Sequence, residues 1–334
     1  MIADRSRSSL SGLDRFISSA SRADDRNKEL TVVLPLEGNW PGVISLTLHE
    51  TEWSGGTAVT ISAIHRVSLA THDLAEAQKF FESYIGLGRA VKVSDQTIAF
   101  GSGSRGLRIR KPPRLLNRTT SELHGSAGTR HVAFDTDDLN GIASRLDRAA
   151  IPYVHALPGD FDASAIYTID PAMNVVAFCQ RSTGGPTDQA IQSLLHDWGW
   201  GIHHVNLEAC DVREAAAFYV EIVGMTEGRW QAPAAAGDVV VDPSMVSLLS
   251  LGDFNRGIHI VRADPGFPTR YSLEHNPTIG GHPAFSVRDV HAVKARLERD
   301  GVLISDAQVY AMDRMYQIYL QDPSANMLEV NQFI

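Results

Sequence analysis

Residues 63–87, AIHRVSLATHDLAEAQKFFESYIGL, align without a gap on residues 201–225, GIHHVNLEACDVREAAAFYVEIVGM, at a constant offset of 138. Asp73 falls on Asp211, Phe80 on Phe218 and Gly86 on Gly224. A second pair follows at an offset of 151, RHVAFDTDDLNGIASRLDR (130–148) on GHPAFSVRDVHAVKARLER (281–299). One residue further out of step, DPAMNVVAF (170–178) matches DPSANMLEV (322–330). Ordered matches of this length mark a duplicated chain, and a repeat governs every other pattern in it.

Each repeat opens with alternating apolar residues, the period of a half-buried strand. Asp73 or Asp211 then stands where a helix N-cap is wanted, an apolar face follows at i, i+3, i+4 spacing, and Gly86 or Gly224 closes the helix. Two or three further strands complete the unit. Four units result, about 62–111, 129–180, 201–262 and 280–333. The expected class is α+β, four βαβββ modules forming two tandem open β-barrel domains with an N-terminal extension. The expected limits are an arm and extension over 1–61, a first domain over 62–180, a linker over 181–200 and a second domain over 201–334. Within 1–61 the pattern predicts a short helix around Leu13–Ser19 and strands over 31–36 (TVVLPL) and 43–50 (VISLTLHE).

Composition narrows the function. At 334 residues, with 43% apolar and 21% charged residues, the chain is long enough for two domains with cores of their own. A net charge of −9 offers no basic stripe to neutralise phosphates, so no nucleic-acid surface is expected. Local clusters such as Arg105 to Arg114 read as solvated strand ends. Cys179 and Cys210 form no CxxC pair, which leaves a reducing, cytoplasmic protein with two buried thiols. No apolar run approaches the ~20 residues of a membrane span, and the N-terminus, MIADRSRSSLSGLDRF, is no secretory signal.

The halves differ where chemistry is expected. His204, His282 and Glu329 stand in the second half at the places held by Arg66, His131 and Ala177 in the first. Strand side chains alternate between faces. His204 shares a face with Ile202, Asn206 and Glu208, His282 with Ala284 and Ser286, and Glu329 with Met327 and Asn331. Each of the three thus lies on the more polar face of its strand, where a ligand belongs. Two imidazoles and one carboxylate suit a non-haem Fe(II) centre with open positions. His203 is the rival for His204. The strand GIHIVRA places His259 at the pseudosymmetric partner of Glu329, as an acid–base group rather than a ligand. His275 is the weaker alternative for that role. Tyr319 recurs in the first half as Tyr167, which fits a structural role as well as a functional one. Asn206 and Glu208 are candidates to support the ligands, and Trp230, Phe267 and Tyr271 to form an aromatic wall.

With repeats and ligands in place, residues 62–333 resemble the vicinal oxygen chelate superfamily, and more closely its two-domain, type I extradiol ring-cleavage dioxygenases. In that family the first domain has lost its metal. The second binds Fe(II) through residues that fall one by one on His204, His282 and Glu329, and the family's acid–base histidine falls on His259. The family pattern before the ligand glutamate reads here Ile318-Tyr319-Leu320-Gln321-Asp322-Pro323-Ser324-Ala325-Asn326-Met327-Leu328-Glu329. Two positions depart from it. Ala325 replaces the usual Gly or Pro, and the leading histidine is absent, with Tyr310 or Met312 near its place.

The resemblance implies an Fe(II) enzyme, with Mn or Zn as alternative metals, that cleaves a catecholic ring with O2. The substrate would chelate the metal through its vicinal oxygens, His259 would take a proton and Tyr319 would hydrogen-bond a coordinated oxygen. Two other classes remain open, a Lewis-acid isomerase, lyase or hydrolase of the glyoxalase type, and a non-catalytic ligand-binding protein. The expected partners are a small aromatic diol and O2, with no nucleic acid or membrane, and the degenerate half and N-terminal strands are expected to serve a homo-oligomer.

Overall fold

A computed structural model describes residues 61–112, 130–181, 198–233 and 241–334. Residues 1–60 of the expected arm and extension over 1–61, with its helix and two strands, lie outside the described residues, as do residues 182–197 of the expected linker.

The first domain runs β1 (Ile61–Ala70), α1 (Leu74–Lys79), β2 (Val91–Ser94), β3 (Thr97–Phe100), β4 (Gly106–Arg110), β5 (His131–Thr136), α2 (Leu139–Arg148), β6 (Tyr153–His155), β7 (Ala165–Ile169) and β8 (Val175–Gln180). The second repeats it with β9 (Trp200–Glu208), α3 (Val212–Ala217), β10 (Thr226–Gly228), β11 (Val246–Ser250) and β12 (Gly257–Val261). A short α4 (Phe267–Tyr271) precedes β13 (His282–Val287), α5 (Val290–Arg299), β14 (Ile304–Gln308), β15 (Met315–Gln321) and β16 (Met327–Phe333). This is the expected α+β succession of four βαβββ modules. Each domain is one mixed eight-stranded sheet, in the orders β2-β3-β4-β1-β5-β8-β7-β6 and β10-β11-β12-β9-β13-β16-β15-β14. The sheets are open, since their edge strands do not pair with each other.

The local signals act as expected at the caps. Asp73 accepts from the N–H groups of Ala75 and Glu76, and Asp211 from those of Arg213 and Glu214. Gly86 and Gly224 close the helices in the left-handed region, at φ 85° and 84°. The helices between them differ from the single α-helix that the spacing predicts. Each widens into a π-helical turn, Phe80–Ile85 and Phe218–Val223. Both members of the adjacent pairs Phe80–Phe81 and Phe218–Tyr219 are buried, and the wider turn re-aims the face so that neighbouring rings both reach the core.

The domains join through reciprocal contacts. Asn326 donates to the Ala70 carbonyl at 2.8 Å and Asn174, its repeat mate, to the Glu208 carbonyl at 3.1 Å. Arg296 donates to the Tyr84 carbonyl and Arg145 to that of Ile222. One apolar core runs through both sheets, with Phe285 meeting Phe81 of the first domain at 6.3 Å and Trp200 at 5.9 Å, both edge-on.

Two expectations need correction. Cys179 is buried but Cys210 is exposed, because it sits in the turn just before the Asp211 cap. Arg105 and Arg108 are not solvated strand ends. Arg105 pairs with Asp135 at 2.5 Å and Arg108 with Asp160 at 2.8 Å. Arg108 keeps only 5% of its surface, so these two arginines are drawn inward by carboxylates far away in sequence, while Lys111 is exposed and Arg114 lies outside the described residues. Among the described residues no helix is long and apolar enough to cross a membrane.

Candidate metal centre

Five consecutive strands of the second sheet each contribute one of the expected side chains: β12 His259, β9 His204, β13 His282, β16 Glu329 and β15 Tyr319. Register explains the convergence. Ala284 pairs with both His204 and Glu329, His282 and His259 both pair with Asn206, and Tyr319 pairs with Glu329. All five residues are at least 95% buried. They line a cavity of about 420 Å³ that also takes in Asn206, Trp230, Phe267, Tyr271 and Tyr310.

Glu329 Oε2 lies 3.4 Å from His204 Nε2 and 3.6 Å from His282 Nε2, and one ligand atom from each residue lies within 4.8 Å of the others. An ion bound about 2.0–2.2 Å from N and O donors holds neighbouring donors about 3.0–3.5 Å apart, so these spacings fit ligands around a common cation. Burial would raise the Glu329 carboxyl, but His204 and His282 outweigh it and hold the group well below the usual carboxylate range. Burial lowers the His282 imidazole despite the opposing pull of Glu329. An anionic carboxylate facing two imidazole nitrogens is the donor set a divalent ion needs.

The surrounding side chains fix this geometry. His204 and His203 meet Nδ1 to Nδ1 at 2.8 Å. A proton on His204 Nδ1, donated to His203, leaves His204 Nε2 free as a donor atom. His203 is therefore the partner of His204 rather than its substitute. The pairing of β9 with β13 passes from His204–Ala284 to Ile202–Phe285, which leaves His203 as the extra residue of a bulge, a feature that re-aims side chains. Asn331 donates to Glu329 Oε1 at 2.7 Å, while Ser286 Oγ donates to Asn331 Oδ1 at 2.5 Å. Parity had put Ser286 and Asn331 on the right faces without giving them a task.

His259 stacks on the His204 ring, with centroids 3.9 Å apart and planes 20° from parallel. Its Nε2 donates to the Asn255 carbonyl at 2.6 Å, so Nδ1 is the accepting nitrogen. Burial, and then His204, hold its pKa well below the ordinary histidine value. The Tyr319 hydroxyl accepts from Gln317 Nε2 at 3.2 Å and is also hydrogen-bonded to Tyr310 and Glu329. Burial raises its pKa well above that of free tyrosine, with Glu329 next in effect. Tyr310 and Met312, the two residues near the expected place of the missing histidine, both line the cavity; burial raises the pKa of Tyr310, whose side chain is hydrogen-bonded to Tyr319. Phe267, Tyr271 and Tyr310 form the wall, with ring centroids 4.5 Å apart for Phe267–Tyr271 and 5.4 Å for Tyr271–Tyr310. Trp230 adds an edge contact to His259 at 4.8 Å.

Two candidates stay outside the site. His275 is tied through its backbone N–H and Nδ1 to Ser305 Oγ and does not line the cavity. The Glu208 carboxylate accepts from the Gly280 N–H instead of supporting a ligand.

The first sheet repeats the five positions with different chemistry: β4 Arg108, β1 Arg66, β5 His131, β8 Ala177 and β7 Tyr167. Arg66 fills the equivalent of the ligand position. It donates to His131 Nε2 at 3.2 Å, to Tyr167 at 3.4 Å and to the Asp160 carbonyl at 2.7 Å. A guanidinium thus stands where the other half has the candidate ligand His204.

The sequence model of the Glyoxalase/Bleomycin resistance protein/Dioxygenase superfamily matches residues 63–178 and 201–330. No curated protein matches the chain in sequence. Among solved structures, the chain is similar to 2,2',3-trihydroxybiphenyl 1,2-dioxygenase from the dibenzofuran-degrading Sphingomonas wittichii, with 15% identity over 82% of this chain and 91% of that one and a TM-score of 0.57. A catechol 2,3-dioxygenase shares 13% identity over 81% and 88%, with a TM-score of 0.55. A Mn(II)-bound glyoxalase from Novosphingobium aromaticivorans shares 13% identity over 82% and 83%, also with a TM-score of 0.55. Likeness at these identities is likeness of fold.

Proposed function

Since the chain belongs to the Glyoxalase/Bleomycin resistance protein/Dioxygenase superfamily, we propose that it is an Fe(II)-dependent extradiol-type dioxygenase that opens the ring of a catecholic compound with O2. The carrying observation is the buried group His204, His282 and Glu329 at the base of a largely apolar cavity. In this reading 201–334 is the metal-binding domain, 62–180 its degenerate twin, and His204 Nε2, His282 Nε2 and Glu329 Oε2 are the ligands. Iron in that site would supply open positions for two substrate oxygens and O2 and let electrons pass between them; Mn or Zn are the alternative ions.

The protein's own groups bind, orient and move protons. His259 Nδ1, uncharged at neutral pH, accepts a proton from a substrate hydroxyl. The Tyr319 O–H, with its oxygen held by Gln317, donates to a substrate oxygen and fixes the ring's orientation. The wall of Phe267, Tyr271 and Tyr310 excludes water and packs the apolar body of the substrate, while Asn331 and His203 hold the ligands in place.

A second reading is Lewis-acid chemistry on a chelated enolate or hydroxy acid, favoured by the absence of the dioxygenase pattern's leading histidine, with Tyr310 or Met312 near its place. Anaerobic loading with Fe(II), followed by O2 uptake with mono-, bi- and polycyclic catechols, separates the readings. The dioxygenase consumes O2 with at least one catechol only when iron is bound, and His259→Ala keeps iron but loses most turnover. Turnover of a carbonyl or hydroxy-acid substrate without O2 and with Zn or Mn would favour the second reading. Tight binding of aromatics with no metal requirement would mark a non-catalytic binding protein.

A further inference from the structure

We propose that the first-domain cavity is a second ligand site, an anion-binding pocket that takes a small organic carboxylate with an apolar body. Of the five equivalent positions, Arg108 and Tyr167 line a cavity in the first domain. The space is about 470 Å³, lined by Thr97, Arg108, Arg110, Val154, Asp160 and Tyr167 among others. Its polar chemistry has changed sign. Arg66 stands in the place of His204, and Arg108 in that of His259, since Arg108 pairs with Ser68 as His259 pairs with Asn206.

Three guanidiniums converge on one oxygen of one carboxylate. Asp160 Oδ1 lies 2.8 Å from Arg108 Nη1, 3.4 Å from Arg110 Nη2 and 3.6 Å from Arg66 Nη2, and its other oxygen accepts from the Tyr167 hydroxyl. Burial would raise the Asp160 carboxyl, but Arg66 and its neighbours hold it below the usual range. The next carboxylate along the loop, Asp162, is spent on the N–H and hydroxyl of Ser104, at 2.8 and 3.0 Å. The cluster thus carries two more positive charges than negative ones. The Arg66 and Arg108 side chains keep only 1% and 6% exposure, and among the described residues the Nε atoms of both have no hydrogen-bond partner. Arg108 and Arg110 both line the cavity, so an anion entering it meets the surplus positive charge. Guanidiniums bind carboxylates through paired N–H bonds. Beside them, Val93, Val154, Ala156, Leu157 and Pro158 line the same cavity, with Val93 47% and Leu157 65% exposed. An apolar body attached to the carboxylate packs there, and a bare inorganic anion makes no use of that surface.

The test is calorimetric titration of the iron-loaded full-length protein with benzoate and, separately, with inorganic phosphate. One equivalent of benzoate should bind, more tightly than phosphate and more weakly as salt rises. Loss of one charge-assisted contact is worth about tenfold or more in affinity, so Arg110→Gln and Arg108→Gln should each weaken benzoate by that factor, while His204→Ala leaves it unchanged. Arg110 is the less buried of the two, so Arg110→Gln decides the matter if Arg108→Gln fails to fold. No benzoate binding up to about 10 mM, far weaker than a built site gives, would overturn the proposal. So would equal affinity for phosphate, or binding that survives Arg110→Gln and is lost in His204→Ala.

Discussion

The bond between His203 and His204 decides which nitrogen of His204 faces Glu329. With Nδ1 given to His203, Nε2 is left bare toward the cavity. Removing a partner that orients a ligand costs about 10–100-fold in metal affinity. His203→Ala should therefore weaken iron binding by that factor, measured against a competing chelator, while the three ligands stay in place; unchanged affinity would remove His203 from the account. Adjacent histidines on a strand look like alternatives when faces are sorted by parity, and only the bulge at His203 makes them collaborators. The same bulge recurs at His65, where the pairing passes from Ile64–Phe134 to Arg66–Ala133. There Asp135 accepts from His65 Nδ1 at 2.8 Å and from Arg105 at 2.5 Å. Burial would raise the Asp135 carboxyl, yet His65 and Arg105 together hold it below its ordinary value. A carboxyl with a depressed folded pKa stabilises the fold above its unfolded value of about 3.9 and loses that contribution as pH falls through the folded one. Asp135→Asn should cost about 3–5 kcal/mol at pH 7, the range for breaking a buried pair. In denaturant titrations the gap from the parent should narrow below about pH 4; a gap independent of pH would show that the charge contributes nothing.

Among elements, the strands were legible and the turns less so. Period-2 patterning plus the repeat alignment set the side of every strand on which His204, His282, Glu329 and His259 fall, because a strand's two faces follow from sequence position alone. The π-helical turns were not legible, since Phe80–Phe81 and Phe218–Tyr219 look the same in an α-helical pattern and need the core to show that both rings are buried. The Arg105–Arg114 run misled for a related reason: the carboxylates that draw Arg105 and Arg108 inward lie 30 and 52 residues away. The turn between β15 and β16 carries Ala325 at φ 61°, a left-handed conformation that costs an L-residue about 1–2 kcal/mol. Ala325→Gly should raise stability by about 1 kcal/mol after glycine's greater entropy loss is subtracted, read as a higher denaturation midpoint with metal binding unchanged. A lower midpoint would contradict the strain argument.

At the scale of the whole molecule, the two sheets share one core and a set of reciprocal contacts, Asn326 with Asn174 and Arg296 with Arg145. They should unfold together. A single calorimetric transition is expected for the described body, and Phe285→Ala should lower the stability of both domains at once by about 3–5 kcal/mol. Two separate transitions, with only the second shifted by that change, would show independent domains. The duplication also explains the division of labour. In the second copy all five strand positions line the cavity; in the first only Arg108 and Tyr167 do, and arginines take the places of His204 and His259. That asymmetry was visible in the sequence as His204, His282 and Glu329 against Arg66, His131 and Ala177; Asn331, Gln317 and the seat of Tyr310 emerged only from packing, because their tasks depend on side chains from other strands.

The central claim is that His204, His282 and Glu329 hold one divalent metal ion, and metal stoichiometry tests it most directly. After anaerobic Fe(II) loading and desalting, the parent protein should retain one equivalent of iron per chain. His204→Ala, His282→Ala and Glu329→Ala should each retain almost none while keeping the parent's circular dichroism. Full retention of iron by the three folded variants would place the metal elsewhere and contradict the account.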